Sequence, residues 1–149
     1  MTPPILVATH GTAGADHVVR RAAALADAFD SPLHVISVVQ PIDVHAPIAP
    51  AGAAKLAEAA ETLETQATTA LGSAAEIAAE SGVGVVEHVR HGEPAHEIVQ
   101  LADEIEAGVI VIGSRGLDAA GRYVLGSVPE RVLFDAHGHD VHVVRAPGS

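Results

Sequence analysis

The chain has 149 residues, the size of one ordinary domain, and its 48% hydrophobic and 18% charged residues are typical of a folded protein. The absence of cysteine excludes disulfide scaffolds and thiolate sites. A formal charge of −11 argues against nucleic acid or an anionic membrane as partner. No apolar run approaches the roughly 18 residues of a membrane span, and no targeting segment precedes the first strand-like run. We therefore expect a single cytoplasmic domain over residues 1–149.

Five short β-branched runs predict five strands. Four of them are continuously apolar, as in strands buried on both faces of a sheet, and cover residues 5–9, 33–39, 109–112 and 141–144. The fifth run, residues 83–89, contains Glu87 and His88 and is therefore predicted to lie at a sheet edge.

Between the strands, apolar residues recur every three or four positions, which predicts helices. Two of these helices cover about residues 15–30 and 53–80, and the others centre on Leu101 and Val132. The last helix is preceded by Ser127-x-x-Glu130, a spacing typical of a capping box. Glycines occupy the positions where helices are expected to end, namely Gly82, Gly108 and Gly138.

The alternation of strands and helices predicts an α/β fold, with an open five-stranded parallel sheet covered by helices on both faces. Residues 40–50 contain three prolines and are predicted to form a loop, either a lid over a site or an ordinary connector. In such sheets, ligands bind beyond the carboxyl ends of the strands. The loops that follow the strands are therefore where binding residues are expected.

The most informative loop follows the fourth strand and reads Gly113-Ser114-Arg115-Gly116, then nine residues, then Gly126-Ser127. Glycines allow close approach of the backbone to an anion, and the amides and dipole of a helix N-terminus favour phosphate. Arg122, within the loop, adds a further positive charge. The segment therefore predicts a phosphate site.

At these residues the sequence resembles the universal stress protein family, whose nucleotide-binding members carry G-x2-G-x9-G-(S/T). Gly113, Gly116, Gly126 and Ser127 match that pattern in full, and the resemblance covers nearly the whole chain. It implies a Rossmann-like sheet of the adenine nucleotide alpha hydrolase type and a homodimer through the C-terminal strand. It also implies ATP or another adenine nucleotide as ligand, with or without Mg²⁺, and a role in stress response or signalling with an unidentified protein partner.

The resemblance also implies three groups of nucleotide-binding residues. Those along the ribose and phosphates would be Gly113, Ser114, Arg115 and Gly116. Those that cradle the phosphates would be Gly126, Ser127 and Val128. Those around the nucleoside would be Ala8, Thr9, His10 and Val38.

Two residues depart from the family pattern. His10 stands where members usually carry Asp, and a neutral imidazole offers one donor and one acceptor where a carboxylate only accepts. Pro129 follows Val128 where members usually have an amide proton, which proline lacks. A dimeric interaction module that has lost nucleotide binding therefore remains an alternative.

Other kinds of site find less support. His137, His139 and His142 have a metal-like spacing, but surface histidines are the better interpretation, and His88 and His91 are interpreted as exposed edge residues. A nucleotidyl-transfer enzyme would need a catalytic His or Lys pair near the phosphates, and His10 alone does not supply one. We expect no catalytic residues and at most slow ATP hydrolysis.

Overall fold

The computed structural model describes residues 2–10, 13–42, 47–114 and 125–145. Strands and helices alternate along these ranges. The strands are β1 (Ile5–Ala8), β2 (Leu33–Val39), β3 (Val85–His91), β4 (Val109–Gly113) and β5 (Asp140–Val144). The helices are α1 (Ala13–Phe29), α2 (Pro50–Glu80), α3 (Pro94–Ile105) and α4 (Ser127–Asp135). None of the helices in the described ranges is long and apolar enough to cross a membrane.

The five strands form one parallel sheet in the order β3-β2-β1-β4-β5. Val7 in β1 pairs with Val35 on one side and with Val111 on the other. The strand order reverses between β1 and β4, which places the switch point of the fold there. The predicted α/β fold with a five-stranded parallel sheet is confirmed, and β3 lies at an edge as predicted.

Both faces of the central strands β1, β2 and β4 are buried, and successive side chains of a strand point to opposite faces. Ile5 and Val7 pack against α1 and α2, whereas Leu6 packs against α3 and α4. All three are at most 1% exposed. Burial of each such side chain is worth about 1.5–3 kcal/mol, so the central strands carry much of the stability.

The N-termini of α3 and α4 are capped differently. The carboxylate of Glu93 accepts hydrogen bonds from the amides of Ala95 (3.2 Å) and His96 (2.7 Å) at the start of α3. At α4 the N-cap is Gly126, with no side-chain cap, and Ser127 is already the first helical residue. The predicted capping box of Ser127 and Glu130 is therefore wrong, because the serine lies one residue too late to cap.

The C-terminal turns confirm two of the three expected glycines. Gly82 (φ 72°) and Gly138 (φ 83°) adopt left-handed backbone after α2 and α4. After α3 that conformation belongs to Glu106 (φ 54°), so the prediction for Gly108 is wrong. Gly108 packs closely against the N-terminal segment instead, because an added Cβ would lie 3.0 Å from the Cβ of Pro3, closer than an ordinary van der Waals contact.

Two histidine contacts join distant elements. The Nδ1 atom of His139 donates to the carbonyl oxygen of Ala107 (2.6 Å), and its Nε2 atom donates to Oδ1 of Asp103 (2.6 Å). Its side chain is only 7% exposed, so its prediction as a surface histidine is wrong. Burial lowers the pKa of His139, but the hydrogen bonds to Asp103 and Ala107 and the carboxylate charge outweigh that effect and raise it.

The second contact joins β2 to β3, where Nδ1 of His34 lies 2.8 Å from Nε2 of His88. The ring centroids are 5.1 Å apart and the planes are inclined by only 12°. The distance between the ring centroids exceeds the distance between the two nitrogens by about the width of one imidazole ring. The two rings therefore lie end to end and share one N–H···N hydrogen bond. His88 is half-buried, which corrects its interpretation as an exposed residue, whereas His91 is exposed and pairs with Glu64.

Burial lowers the pKa of both His34 and His88. The positive charges of His34 and Arg90 lower the pKa of His88 further, and the nearby Glu104 opposes them. Arg90 and Glu104 themselves form an ion pair at 2.9 Å across β3 and α3. Burial and the neighbouring positive charges therefore disfavour protonation of this pair.

Candidate functional site

A cavity of about 350 Å³ opens at the carboxyl ends of β1, β2 and β4, at the switch point of the sheet. The first residues of α1, α3 and α4 border it. Pockets for small molecules usually measure roughly 300–1,000 Å³, so this cavity is large enough for one.

The structure brings most of the predicted site residues together on the cavity wall. These are Ala8, Thr9, His10, Val38, Gly113, Ser114, Ser127 and Val128. Gly126 is buried next to the wall rather than on it. Arg115 and Gly116, and Arg122 as well, lie outside the described residues.

Further wall residues were not predicted from the sequence. They come from the first turns of α1, from β2 and the residue after it, from the first turns of α3 and from the ends of β4 and β5: Gly14, Ala15, Val18, Ile36, Gln40, Pro94, Ile98, Ile112 and Val144. The sequence did contain a signal for Pro94, because a proline just beyond a predicted strand is typical of the first position of a helix. In a parallel sheet, such helix starts converge on the same edge as the strand ends.

The backbone around α4 leaves two amides for a ligand. The Gly126 amide donates to the carbonyl oxygen of Ser114 (3.1 Å), and the Ser114 amide donates to that of Val144 (2.9 Å). The amides of Ser127 and Val128 have no acceptor among the described residues, and both residues line the cavity. Free N–H groups at a helix N-terminus favour an anion.

Pro129 limits this donor set. It occupies the third position of α4, lines the cavity and has no amide proton. The Ser127 hydroxyl adds a side-chain donor at the first position. The N-terminus of α4 therefore offers two amides and one hydroxyl, whereas the first amides of α3 are already bonded to Glu93.

The charge of the wall differs from that of the chain. Although the protein carries a formal charge of −11, none of the described wall residues is Asp or Glu, and His10 is the one ionisable side chain among them. A bound anion would therefore meet no carboxylate on this part of the wall, which favours an anionic ligand.

Gly113 has a packing role of its own. A Cβ added there would lie 3.1 Å from Cγ2 of Val18 on α1, closer than an ordinary van der Waals contact. The glycine therefore lets α1 approach the end of β4. Gly126 has φ −67° and ψ 160°, a conformation open to any residue, so the backbone there does not require glycine.

A second, open groove runs along the middle of α2 and meets the cavity at His10. Glu58 and Glu61 line it together with Thr62 and Thr65. His10 thus lies between a wall without described carboxylates and a groove with two of them.

Within the described ranges, no group of three or more His, Asp or Glu side chains is arranged to hold a metal ion. His137 and His142 are exposed, whereas His139 is bonded to Asp103 and Ala107. The metal-like spacing of these three histidines therefore does not bring them together.

The chain is similar to known proteins over almost its whole length. A universal stress protein of Methanocaldococcus jannaschii is 32% identical over 143 residues, which cover 96% of this chain and 82% of that protein. The structure of a universal stress protein from Lactobacillus plantarum superposes with a TM-score of 0.80 at 25% identity, covering 96% of this chain and 97% of the other. That of a universal stress protein in complex with cAMP gives 0.73 at 28% identity, covering 97% of both chains.

The sequence profile of the universal stress protein family matches residues 1–145. The order of the strands and the position of the cavity at their carboxyl ends agree with that match. The chain belongs to the universal stress protein family.

Proposed function

We propose that this protein binds an adenine nucleotide in the cavity at the switch point, with ATP as the first candidate. We further propose that it acts as a dimeric module in stress response or signalling. One observation carries the proposal: Ser127 and Val128, whose amides have no acceptor among the described residues, line a cavity whose described wall lacks carboxylates, in a protein of charge −11. The complex of a similar universal stress protein with cAMP supports the adenine nucleotide.

In this arrangement the phosphates contact the amides of Ser127 and Val128 and the Ser127 hydroxyl. Gly113 and Ser114 lie beside them, with Gly126 behind. The family resemblance extends this set to Arg115 and Gly116. Any Mg²⁺ would be held by phosphate oxygens and water, because no carboxylate belongs to the described wall.

The nucleoside occupies the other side of the cavity. Ala8 and Val38 give it apolar contacts, and Thr9 and His10 supply polar groups at the end of β1. His10 takes the place of the Asp usual in the family, so recognition of the ribose involves a different hydrogen-bonding group.

The dimer forms through β5, an edge strand in the single chain. An edge strand exposes unpaired backbone groups that a second copy can bond. Leu133 (45% exposed) and Phe134 (72% exposed) lie on α4, which packs against β5, and extend the apolar surface there. Light scattering after gel filtration should give twice the chain mass, and a monomer at micromolar concentration would overturn this part of the proposal.

A second candidate function is a dimeric module of the same fold that has lost nucleotide binding. The specific observation in its favour is Pro129, which removes the third amide of α4 from the cavity wall. It predicts an intact dimer without measurable affinity for nucleotides.

The deciding experiment has two stages. Small molecules released from the purified protein are identified by mass spectrometry, and calorimetry then measures the affinity for ATP, ADP, AMP and cAMP. ATP binding supports the proposal, whereas no binding of any of the four supports the second candidate.

Ser127→Pro tests the position of the phosphates. Proline is well tolerated at the first position of a helix, and the extended backbone of Gly126 suits a residue before proline. The substitution removes one amide and the hydroxyl, so affinity for ATP should fall at least tenfold, about 1.4 kcal/mol. Ser127→Ala, which keeps the amide, should have a smaller effect, and equal affinity of all three proteins would exclude the α4 site.

A further inference from the structure

We infer that His34 and His88 form a binding site for Cu²⁺ near the β3 edge of the sheet. Neither histidine lines the cavity at the switch point, so this metal site is independent of the proposed nucleotide binding. The pairing of two strands and the distance between two ring nitrogens define it.

The pairing of β2 with β3 brings the two imidazoles together on one face of the sheet. His88 is the register partner of Ile36, and His34 lies two residues before Ile36 on β2. Since side chains two positions apart on a strand share a face, both histidines lie on the face where Ile36 packs against α3. Both are half-buried, and β3 is an edge strand, so the pair remains accessible to an ion from solvent.

The distance between the facing nitrogens selects the kind of metal. Nδ1 of His34 and Nε2 of His88 are 2.8 Å apart. Two metal–nitrogen bonds of about 2.0 Å that meet at a right angle bring their nitrogens to about this separation, whereas a tetrahedral angle spreads them to about 3.3 Å. The pair therefore fits two adjacent positions of a tetragonal ion. Cu²⁺ prefers that geometry and is the divalent first-row ion that nitrogen ligands bind most tightly.

Copper binding replaces the N–H···N hydrogen bond by two metal–nitrogen bonds. The rings lie end to end with one proton between the facing nitrogens. That proton moves to the other nitrogen of its own ring, which gives the second tautomer of neutral imidazole and frees both lone pairs for the metal. Both rings then turn until the lone pairs converge. Because χ2 of histidine is a broad torsion, this turn is permitted.

The surroundings add water and a balanced pair of charges. Within the described ranges no group of three His, Asp or Glu side chains is arranged to hold a metal, so water completes the coordination of the ion. Arg90 and Glu104 lie beside His88 and form an ion pair with each other at 2.9 Å. The positive charge that would repel the ion is thus matched by a carboxylate.

The test is titration of the full chain with Cu²⁺ alone, followed by calorimetry and electron paramagnetic resonance. The wild type should bind one ion per chain at a tight site whose spectrum is split by two imidazole nitrogens. His34→Leu and His88→Leu each remove one ligand, so affinity at this site should fall at least about tenfold and the splitting by the second nitrogen should disappear. Either variant suffices if the other does not fold.

His137→Leu is the matched control, because His137 is an exposed histidine away from β2 and β3. It should keep the affinity and the spectrum of the wild type. Cu²⁺ should also raise the urea midpoint of the wild type and of His137→Leu more than that of the other two variants, since a ligand of the folded state stabilises it. Wild-type affinity in His34→Leu or His88→Leu, or a wild-type spectrum with one nitrogen, would overturn the inference and leave the proposed function untouched.

Discussion

The Nε2 atom of His139 lies 2.6 Å from Oδ1 of Asp103, a residue 36 positions earlier in the chain. The other ring nitrogen faces the carbonyl oxygen of Ala107, so both nitrogens meet acceptors and both must carry a proton. The imidazolium therefore fastens the start of β5 to the end of α3. Its raised pKa means that its contribution to stability is complete below the unfolded value of about 6.5 and is lost as pH rises through the folded value.

His139→Ala should therefore destabilise the protein more in acid than in base. We expect a loss of roughly 1–3 kcal/mol near pH 5.5, from two hydrogen bonds to a charged group, and a smaller loss near pH 9. Urea unfolding at fixed protein concentration measures both. His137→Ala, at an exposed neighbour, should have little effect at either pH, and an equal loss for His139→Ala at both would show that the histidine is not charged.

The His34 and His88 pair should respond with the opposite sign. Both pKa values are lowered, so the unfolded chain binds more protons below about pH 6.5, and stability is lost as pH falls towards the folded values. His88→Leu should cost about 1 kcal/mol near pH 8, where the N–H···N bond is intact, and less near pH 5. Denaturation midpoints at the two pH values test this, and a cost that grew in acid would contradict it.

Two glycines should give opposite results on conversion to alanine. Gly113→Ala should destabilise the protein by about 1 kcal/mol, because the new methyl group would crowd Val18 at 3.1 Å. Gly72→Ala, within α2 and with nothing within 4 Å, should stabilise it by about 0.5–1 kcal/mol. Both follow from urea unfolding curves, and stabilisation by Gly113→Ala would show that α1 adjusts to the methyl group.

Pro129→Ala should strengthen nucleotide binding. It restores an amide proton at the third position of α4, beside those of Ser127 and Val128, and ATP affinity should rise roughly three- to tenfold, about 0.7–1.4 kcal/mol. Pro94→Ala is the control, because Pro94 also lines the cavity but the carboxylate of Glu93 caps the start of α3 and disfavours an anion beside a new amide there. Calorimetry on both variants decides, and a gain in both or in neither would contradict the role of the third amide.

Much of the fold is local in origin and could be predicted from the sequence. The apolar runs placed β2 correctly and β1, β4 and β5 to within one residue. β3 was predicted two residues too early, because Val83 is apolar but belongs to the turn after α2. Helix boundaries depended on the capping residues. The N-cap of α4 is Gly126 where the sequence pattern predicted Ser127, and the C-cap of α3 is Glu106 where the pattern predicted Gly108.

The positions of cavity-wall residues could be predicted where they follow from strand ends, and contacts between distant residues could not be predicted. Nothing near His139 in the sequence indicates that Asp103 will face it. His34 and His88, 54 positions apart, meet only because β2 and β3 pair in one register. Gln40 was part of a predicted loop, and the sequence did not show that it would line the cavity.

The hydrogen bond from the Gly126 amide to the Ser114 carbonyl oxygen has a consequence for how this protein can diversify. It joins the two ends of the segment between β4 and α4, while Ser114 is itself fixed to Val144. The entropic cost of joining two fixed ends grows slowly with the number of residues between them, by only about 0.6 kcal/mol per doubling, so residues can be inserted between these ends with little loss of stability. Such insertions would leave the donors at α4 in place, so this is the point at which new ligand preferences can be engineered without rebuilding the sheet.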